Sequence, residues 1–249
     1  MQTNSLFTTN EPVELYQQDA LHALTGGTLR PGGTELTLEL LHFCRFAPGS
    51  CLLDIGCGPG HSLEMMAGHF GLRATGLDPS PAMLAKAGQQ APMAKLLQGT
   101  ATSLPCADQS FDGVLCECVL SLTEDMDKSL SEMHRVLKPE GKLILTDIYC
   151  KRLSLQARLP ELRSCISRAL PLETITESLL RAGFSLTLLR DRSDLLKQLA
   201  GQIIFSYGSL EKFWSLFMDS EAAHRTSCAL ATAPLGYYVL IAEKGGLHG

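Results

Sequence analysis

Leu52-Leu53-Asp54-Ile55-Gly56-Cys57-Gly58-Pro59-Gly60 decides how this chain is read. An apolar run of strand length ends in glycines at alternate positions and then enters a helical pattern. Glycines there remove each Cβ that would hold a ligand off the backbone. The helix opening after Gly60 offers unpaired N–H groups to electron-rich ligand atoms. The ligand site is expected at this turn.

Downstream, Leu63, Met66, Ala67 and Phe70 recur at i, i+3, i+4, i+7, an amphipathic helix lying on a sheet. Leu72 to Leu77 predicts a second strand ending in Asp78, and Ser80-Pro81 starts a helix carrying Met83, Leu84 and Ala87. Strands are expected over 94–98, 111–116 and 142–149. Thr123 is expected to cap a helix whose buried stripe is Met126, Leu130, Met133 and Leu137. Upstream, residues 1–11 read as loosely attached, and 13–24 as a weak helix that includes Tyr16. After the loop Thr28-Leu29-Arg30-Pro31-Gly32-Gly33, Thr34 is expected to cap a helix carrying Leu36, Leu40, Phe43 and Cys44.

Strands alternating with helices at this spacing imply βαβ units and a mostly parallel sheet. Ligands of such sheets sit outside the carboxyl ends of the strands. The loops holding Gly56–Gly60, Asp78, Gly99–Ala101 and Cys116–Cys118 all leave at that edge. The last third is less regular. A helix is expected over 151–170, another through Leu172, Ile175 and Leu179, and strands over 184–189 and 236–243. The connection from Arg190 to Leu235 is 46 residues long. It carries two apolar stripes, Leu195/Leu199/Ile203 and Leu210/Phe213/Trp214/Phe217, and so reads as a lid or an oligomer contact.

Composition narrows the function. The chain has 249 residues, 45% hydrophobic and 19% charged, with formal charge −5. It lacks a basic run able to follow a phosphate backbone, which argues against nucleic acid. No apolar run approaches the roughly 18 residues of a membrane span. The polar N-terminus does not read as a signal peptide, so a cytoplasmic location is expected. The nine cysteines are scattered, with no CxxC pair and no zinc spacing, so no metal is expected.

The turn itself excludes some ligands. A phosphate loop needs Lys-Ser/Thr after its last glycine, where His61-Ser62 stands. The dinucleotide fingerprint GxGxxG is replaced by GxGxG, with Asp54 just ahead. That acid suits a ligand bearing an amino group, a sulfonium or sugar hydroxyls.

Asp54-Ile55-Gly56-Cys57-Gly58-Pro59-Gly60 resembles the first motif of the class I S-adenosylmethionine-dependent methyltransferases. Gly76-Leu77-Asp78-Pro79-Ser80 resembles the second. Gly99-Thr100-Ala101, then Ser110-Phe111-Asp112, resembles the adenine-side loop into strand four. Leu137-Lys138-Pro139-Glu140-Gly141 resembles the turn into strand five. The order and spacing look most like the type 11, small-molecule branch. This resemblance implies a Rossmann-like, doubly wound, mostly parallel seven-stranded sheet with a C-terminal antiparallel strand pair. It implies a single domain over 1–249: a helical cover at 1–45, a cofactor-binding core at 46–150, and substrate-side insertions at 151–171 and 190–235.

The same resemblance implies S-adenosylmethionine as cofactor and a small-molecule acceptor. Asp54, Gly56, Cys57 and Gly58 would face its methionine portion, and Asp78, with Pro79, would hold the ribose. Met83, Thr100 and Ala101 would lie by the adenine, and Cys116 and Glu117 near the amino group. Thr100 stands where the family often has an Asp. Glu117 leads the candidate general bases, ahead of Tyr16, Asp147, Tyr149, Tyr207 and His224. Tyr16, Arg30, Tyr149, Tyr207 and Trp214 are the substrate-side candidates. His134 reads as a surface or satisfied histidine. Cysteines 57, 106, 116, 118 and 150 at the ligand edge would suit a soft metalloid or a thiol acceptor, or simply pack beside tight turns. A binding protein without catalysis is the alternative. A nicotinamide dehydrogenase is disfavoured by the glycine spacing. A nucleic-acid or protein methyltransferase is disfavoured by charge and by Cys116-Glu117-Cys118-Val119 after strand four.

Overall fold

The computed structural model describes residues 30–151 and 164–245. The expected helix over 13–24, with Tyr16, lies outside them, as do residues 152–163.

Seven strands form one sheet in the order β3-β2-β1-β4-β5-β7-β6. They are β1 (Cys51–Ile55), β2 (Arg73–Asp78), β3 (Lys95–Gln98), β4 (Phe111–Glu117), β5 (Leu137–Cys150), β6 (Phe184–Asp191) and β7 (Leu235–Lys244). The first five pair in parallel; β7 runs antiparallel to both β5 and β6. The expected parallel core and antiparallel C-terminal pair are therefore present. The sheet order reverses between β1 and β4, so their connections leave in opposite directions and open a crevice at the carboxyl edge.

The helices are α1 (Gly33–Cys44), α2 (His61–Phe70), α3 (Pro81–Gln90), α4 (Met126–Val136), α5 (Leu172–Arg181), α6 (Ser193–Tyr207), α7 (Leu210–Trp214) and α8 (Ser220–Thr232). Because side chains alternate across a strand, the sheet builds a core on each face. Leu52, Leu115, Ile144, Tyr237 and Val239 pack with Leu36 and Leu40 of α1, Leu63 and Met66 of α2, and Phe213 and Trp214 of α7. Leu53, Cys116, Leu143, Tyr238 and Leu240 pack with Leu130 and Met133 of α4 and Ile175 and Leu179 of α5.

Four local expectations are corrected. Gly32, at φ 82°, is the N-cap of α1, and Thr34 lies inside the helix; consecutive glycines in the left-handed region let the chain reverse earlier. Asp125 caps α4, its side chain accepting the Lys128 N–H at 2.9 Å. Thr123 instead closes the short 3₁₀ turn Leu120–Leu122. Residues 164–170 form turns rather than helix, with i→i+3 bonds at Ser164/Ser167 and Ile166/Ala169. The long connection holds a third helix, α8, which buries Ala222, Ala223 and Thr226; side chains that small leave little apolar period to read.

Gly76, on β2, lies under α2. A Cβ there would stand 2.5 Å from Leu63 Cδ1 and 2.8 Å from Cys57 Sγ. Gly76→Ala is expected to destabilise the fold by about 1–3 kcal/mol through overpacking, read as a lower urea midpoint at unchanged m-value.

Candidate functional site

The glycine turn is tied to its neighbouring strand. The N–H groups of Gly56 and Cys57 both donate to Leu77 O, at 2.7 and 3.1 Å. Gly56 has φ 72°, and a Cβ on it would lie 2.3 Å from Val119 Cγ2. Gly58 differs. It has φ 52°, and a Cβ there would meet nothing within 4 Å. Among the described residues, then, no side chain closes the space beside the Gly58 backbone.

Asp78 stands beside that space at the end of β2. Its Oδ2 accepts the Gly58 N–H at 3.0 Å, and its Oδ1 accepts the Ser80 N–H at 2.9 Å. A carboxylate has about four lone-pair sites, so two bonds fix Asp78 in place and leave acceptor capacity. Burial pushes its pKa up, against the pull of the two N–H groups. Pro79 follows it, and Ser80 Oγ caps α3 by accepting the Met83 N–H at 3.3 Å. Met83 is buried below.

Asp54, Glu117 and Arg30 make a buried charged cluster at the end of β1 and β4. Arg30 Nη2 lies 2.9 Å from Glu117 Oε2. Thr37 Oγ1, fully buried on α1, donates to the Glu117 carboxylate at about 3.0 Å and accepts from Arg30 Nη2 at 2.5 Å. Arg30 Nη2 also reaches Ser62 Oγ at 3.1 Å. Among the described residues the Arg30 guanidinium thus pairs with Glu117 and also acts through space on the nearby Asp54. Burial, and then repulsion from Glu117, raise the Asp54 pKa well above the carboxylate range, although Arg30 opposes the shift. Burial also raises Glu117, opposed by Arg30 and Thr37. The cluster suits a ligand that brings positive charge.

Thr37 and Ser62 escaped the sequence reading. Their one signal is polarity at buried positions, Thr37 beside Leu36, Leu40 and Leu41, and Ser62 beside Leu63.

Other candidates fall in different places. Thr100 Oγ1 is 3.1 Å from Thr102 Oγ1, and Ala101 is buried in the core on the α4 side of the sheet. Cys116 points to that same core. Cys118 leaves the strand at φ 56° and turns its thiol to Tyr237 Oη at 3.7 Å on the opposite face. The two do not share a face, and burial pushes both thiols well up. Among the described residues no group of three or more His, Cys, Asp or Glu could hold a metal ion. Tyr149 Oη donates to Asp191 at 2.9 Å. Tyr207 stacks edge-on against Phe213, and Trp214 is buried beside the same ring. His224 contacts Glu211 and Cys228, and His134 packs on Phe184.

Asp147, near the carboxyl end of β5, lines a cavity of about 560 Å³. It accepts the N–H and Oγ of Ser121, each at 2.8 Å, and the Ile148 N–H at 2.7 Å. Burial raises its pKa to about 6 against these bonds. The cavity wall includes Arg168 and Tyr238, whose fully buried hydroxyl has no partner among the described residues. Ser121 is two residues past Val119, the side chain that packs on Gly56, so this cavity and the glycine turn are neighbours.

Residues 53–145 match the family model described as a methyltransferase domain. An uncharacterised methyltransferase of Synechocystis sp. is 34% identical over 139 residues, 54% of this chain and 65% of that relative. The chain spans between 37% and 65% of the length of the first curated relatives it matches. The [4+2]-cyclase SpnF superposes with a TM-score of 0.76 at 22% identity, covering 94% of this chain and 95% of that one. Phosphoethanolamine N-methyltransferase 2 of Haemonchus contortus, in complex with S-adenosyl-L-methionine, superposes with a TM-score of 0.73 at 23% identity, covering 91% and 56%. These structures share the fold. Among the described residues no helix is long and apolar enough to cross a membrane.

The raised Asp54 pKa has a pH signature. Between the ordinary carboxylate pKa and the raised one, the folded chain holds a proton that the unfolded chain has released. Stability therefore falls as pH rises through that window. Asp54→Asn removes the buried charge and is expected to raise the thermal midpoint at pH 8, the gain shrinking towards pH 4. Melting curves of both proteins across that range check it; a difference independent of pH contradicts the assignment.

Proposed function

We propose, on the premise that this chain belongs to the class I S-adenosylmethionine-dependent methyltransferase family, that it transfers a methyl group from S-adenosylmethionine to a small-molecule acceptor. The observation that carries this reading is the open space beside Gly58, bounded by the clamped Asp78 and by the acid-rich Asp54–Glu117–Arg30 cluster. The residues fit the group. An extended molecule with a cationic amino-acid end and a nucleoside end needs an acid at each end and a bare backbone between them. A structural neighbour of the same fold is in complex with S-adenosyl-L-methionine.

In this reading Asp54, Gly56, Cys57, Gly58, Cys116 and Glu117 surround the methionine end. Asp78 and Pro79 hold the ribose, and Met83, Thr100 and Ala101 border the adenine. S-adenosylmethionine supplies an already activated methyl group on its sulfonium. The chain's own part is then to orient, to exclude water and to accept a proton where the acceptor needs it. Residues 46–150 act as the cofactor-binding core. Residues 1–45, 151–171 and 190–235 act as its cover and choose the acceptor. The cavity at Asp147 is the acceptor-side space, offering a carboxylate near neutral pKa, the Tyr238 hydroxyl and the Arg168 guanidinium to a small polar molecule.

A second reading keeps the binding site and drops the chemistry. It is favoured by one observation: Glu117, the leading base candidate, is engaged by Arg30 and Thr37 rather than facing an acceptor. Incubation with methyl-labelled S-adenosylmethionine and a metabolite extract separates the two. Labelled small products are expected, and cofactor binding without them assigns a binding protein.

Two substitutions test the site by calorimetric titration with S-adenosylhomocysteine. Gly58→Val puts a side chain into the open space and is expected to abolish binding, at a folding cost of about 1–2 kcal/mol for the left-handed backbone. Asp78→Ala removes charged hydrogen-bond acceptance and is expected to weaken binding about ten- to hundredfold.

A further inference from the structure

A groove on the other flank of α1 carries positive charge that its surroundings do not balance. Each helical residue advances by about 100°, so Glu39 and Phe43 face away from Thr37 and the glycine turn. Opposite them, Leu188 and Arg190 occupy alternate positions on β6, and Arg192 follows two residues later. The space between is a cavity of about 530 Å³. Leu40 and Val239, each 2% exposed, form its floor, and Phe43, 48% exposed, forms a wall.

Three arginines and His42 line this cavity against one acid, Glu39, in a chain of formal charge −5. Arg192 is neutralised by Glu39 at 3.2 Å and Asp194 at 3.4 Å. Arg45 and Arg190 have no acidic partner among the described residues. Arg45 is also the C-cap of α1, at φ 51°. That backbone favours glycine, so an arginine there keeps its cation at the groove against the local preference. Charges on an edge strand also discourage strand pairing, and β6 is an edge. That role does not call for Arg45, which caps the C-terminus of α1.

We propose that this groove binds a small phosphorylated amphiphile, its phosphate taken by Arg45 and Arg190 and its apolar body by Leu40, Phe43, Leu188 and Val239. A guanidinium presents a planar fork of donors that matches phosphate oxygens two at a time. A phosphate supplies the negative charge the lining lacks, and the floor supplies apolar contact that a bare phosphate would waste. The site is independent of methyl transfer, since none of its residues borders Gly58 or Asp78.

Octyl phosphate, titrated calorimetrically into the full chain, tests the proposal beside octanol and inorganic phosphate. Saturable binding of octyl phosphate is expected, about tenfold or more tighter than either fragment and weakened by added salt. The double variant Arg45→Ala/Arg190→Ala is expected to lose about tenfold or more in affinity at an unchanged melting point. Arg190→Gln alone gives a milder second test should the double variant fail to fold, with a smaller loss in the same direction. Octanol binding as tightly as octyl phosphate overturns the proposal, as does unchanged affinity in the variants. Binding confined to phosphatidylglycerol vesicles, with none to the soluble probe, also overturns it. So does a variant that self-associates while keeping wild-type affinity, because the arginines then serve the strand edge.

Discussion

Among the described residues two buried carboxylates, Asp54 and Glu117, lie with one guanidinium, Arg30, and the rest of the site is arranged around that imbalance. Asp54 comes from β1, Glu117 from β4, and Arg30 from the loop ahead of α1, so the cluster ties together segments far apart in sequence. Thr37 and Ser62 supply the short polar contacts that let charge remain inside. Burying an unbalanced acid is costly unless a proton or a cation joins it. A cationic ligand relieves that cost. The negative charge of the pocket is therefore a preference for one kind of ligand as well as a burden on the empty fold.

The sheet makes the cluster possible. β1 and β4 are neighbours whose chains leave in opposite directions, and the crevice between them lies outside their carboxyl ends. Glycines at 56, 58 and 60 serve three purposes there. Gly56 admits Val119, Gly60 lets α2 cross close to Ala87, and Gly58 borders a space that no described residue fills. Only the last concerns a ligand directly. The first two hold the turn still, which keeps the Gly58 N–H aimed at Asp78.

Strand positions and the main helices were legible because apolar period and turn residues report burial directly. Helix starts at Thr34 and Thr123 were misjudged because capping depends on which backbone N–H groups are free. Gly32 and Asp125 won for reasons of local chain reversal and reach. The α8 helix was missed because alanine and threonine can be buried without forming an apolar stripe. Cys116 and Cys118, two residues apart at the ligand edge, point to opposite faces because the chain turns through a left-handed conformation at Cys118.

The sequence by itself determined the parallel architecture, the glycine turn and the acids that end β1 and β2. These are encoded locally, in period, spacing and chain order. Only the tertiary structure decided which polar groups meet across long separations. Thr37 finds Glu117 eighty residues away, Arg30 finds Ser62, and Arg45 at a helix end joins Arg190 on an edge strand in lining one groove. No local pattern records such meetings, because they depend on where the sheet carries each segment and which face of each helix it covers.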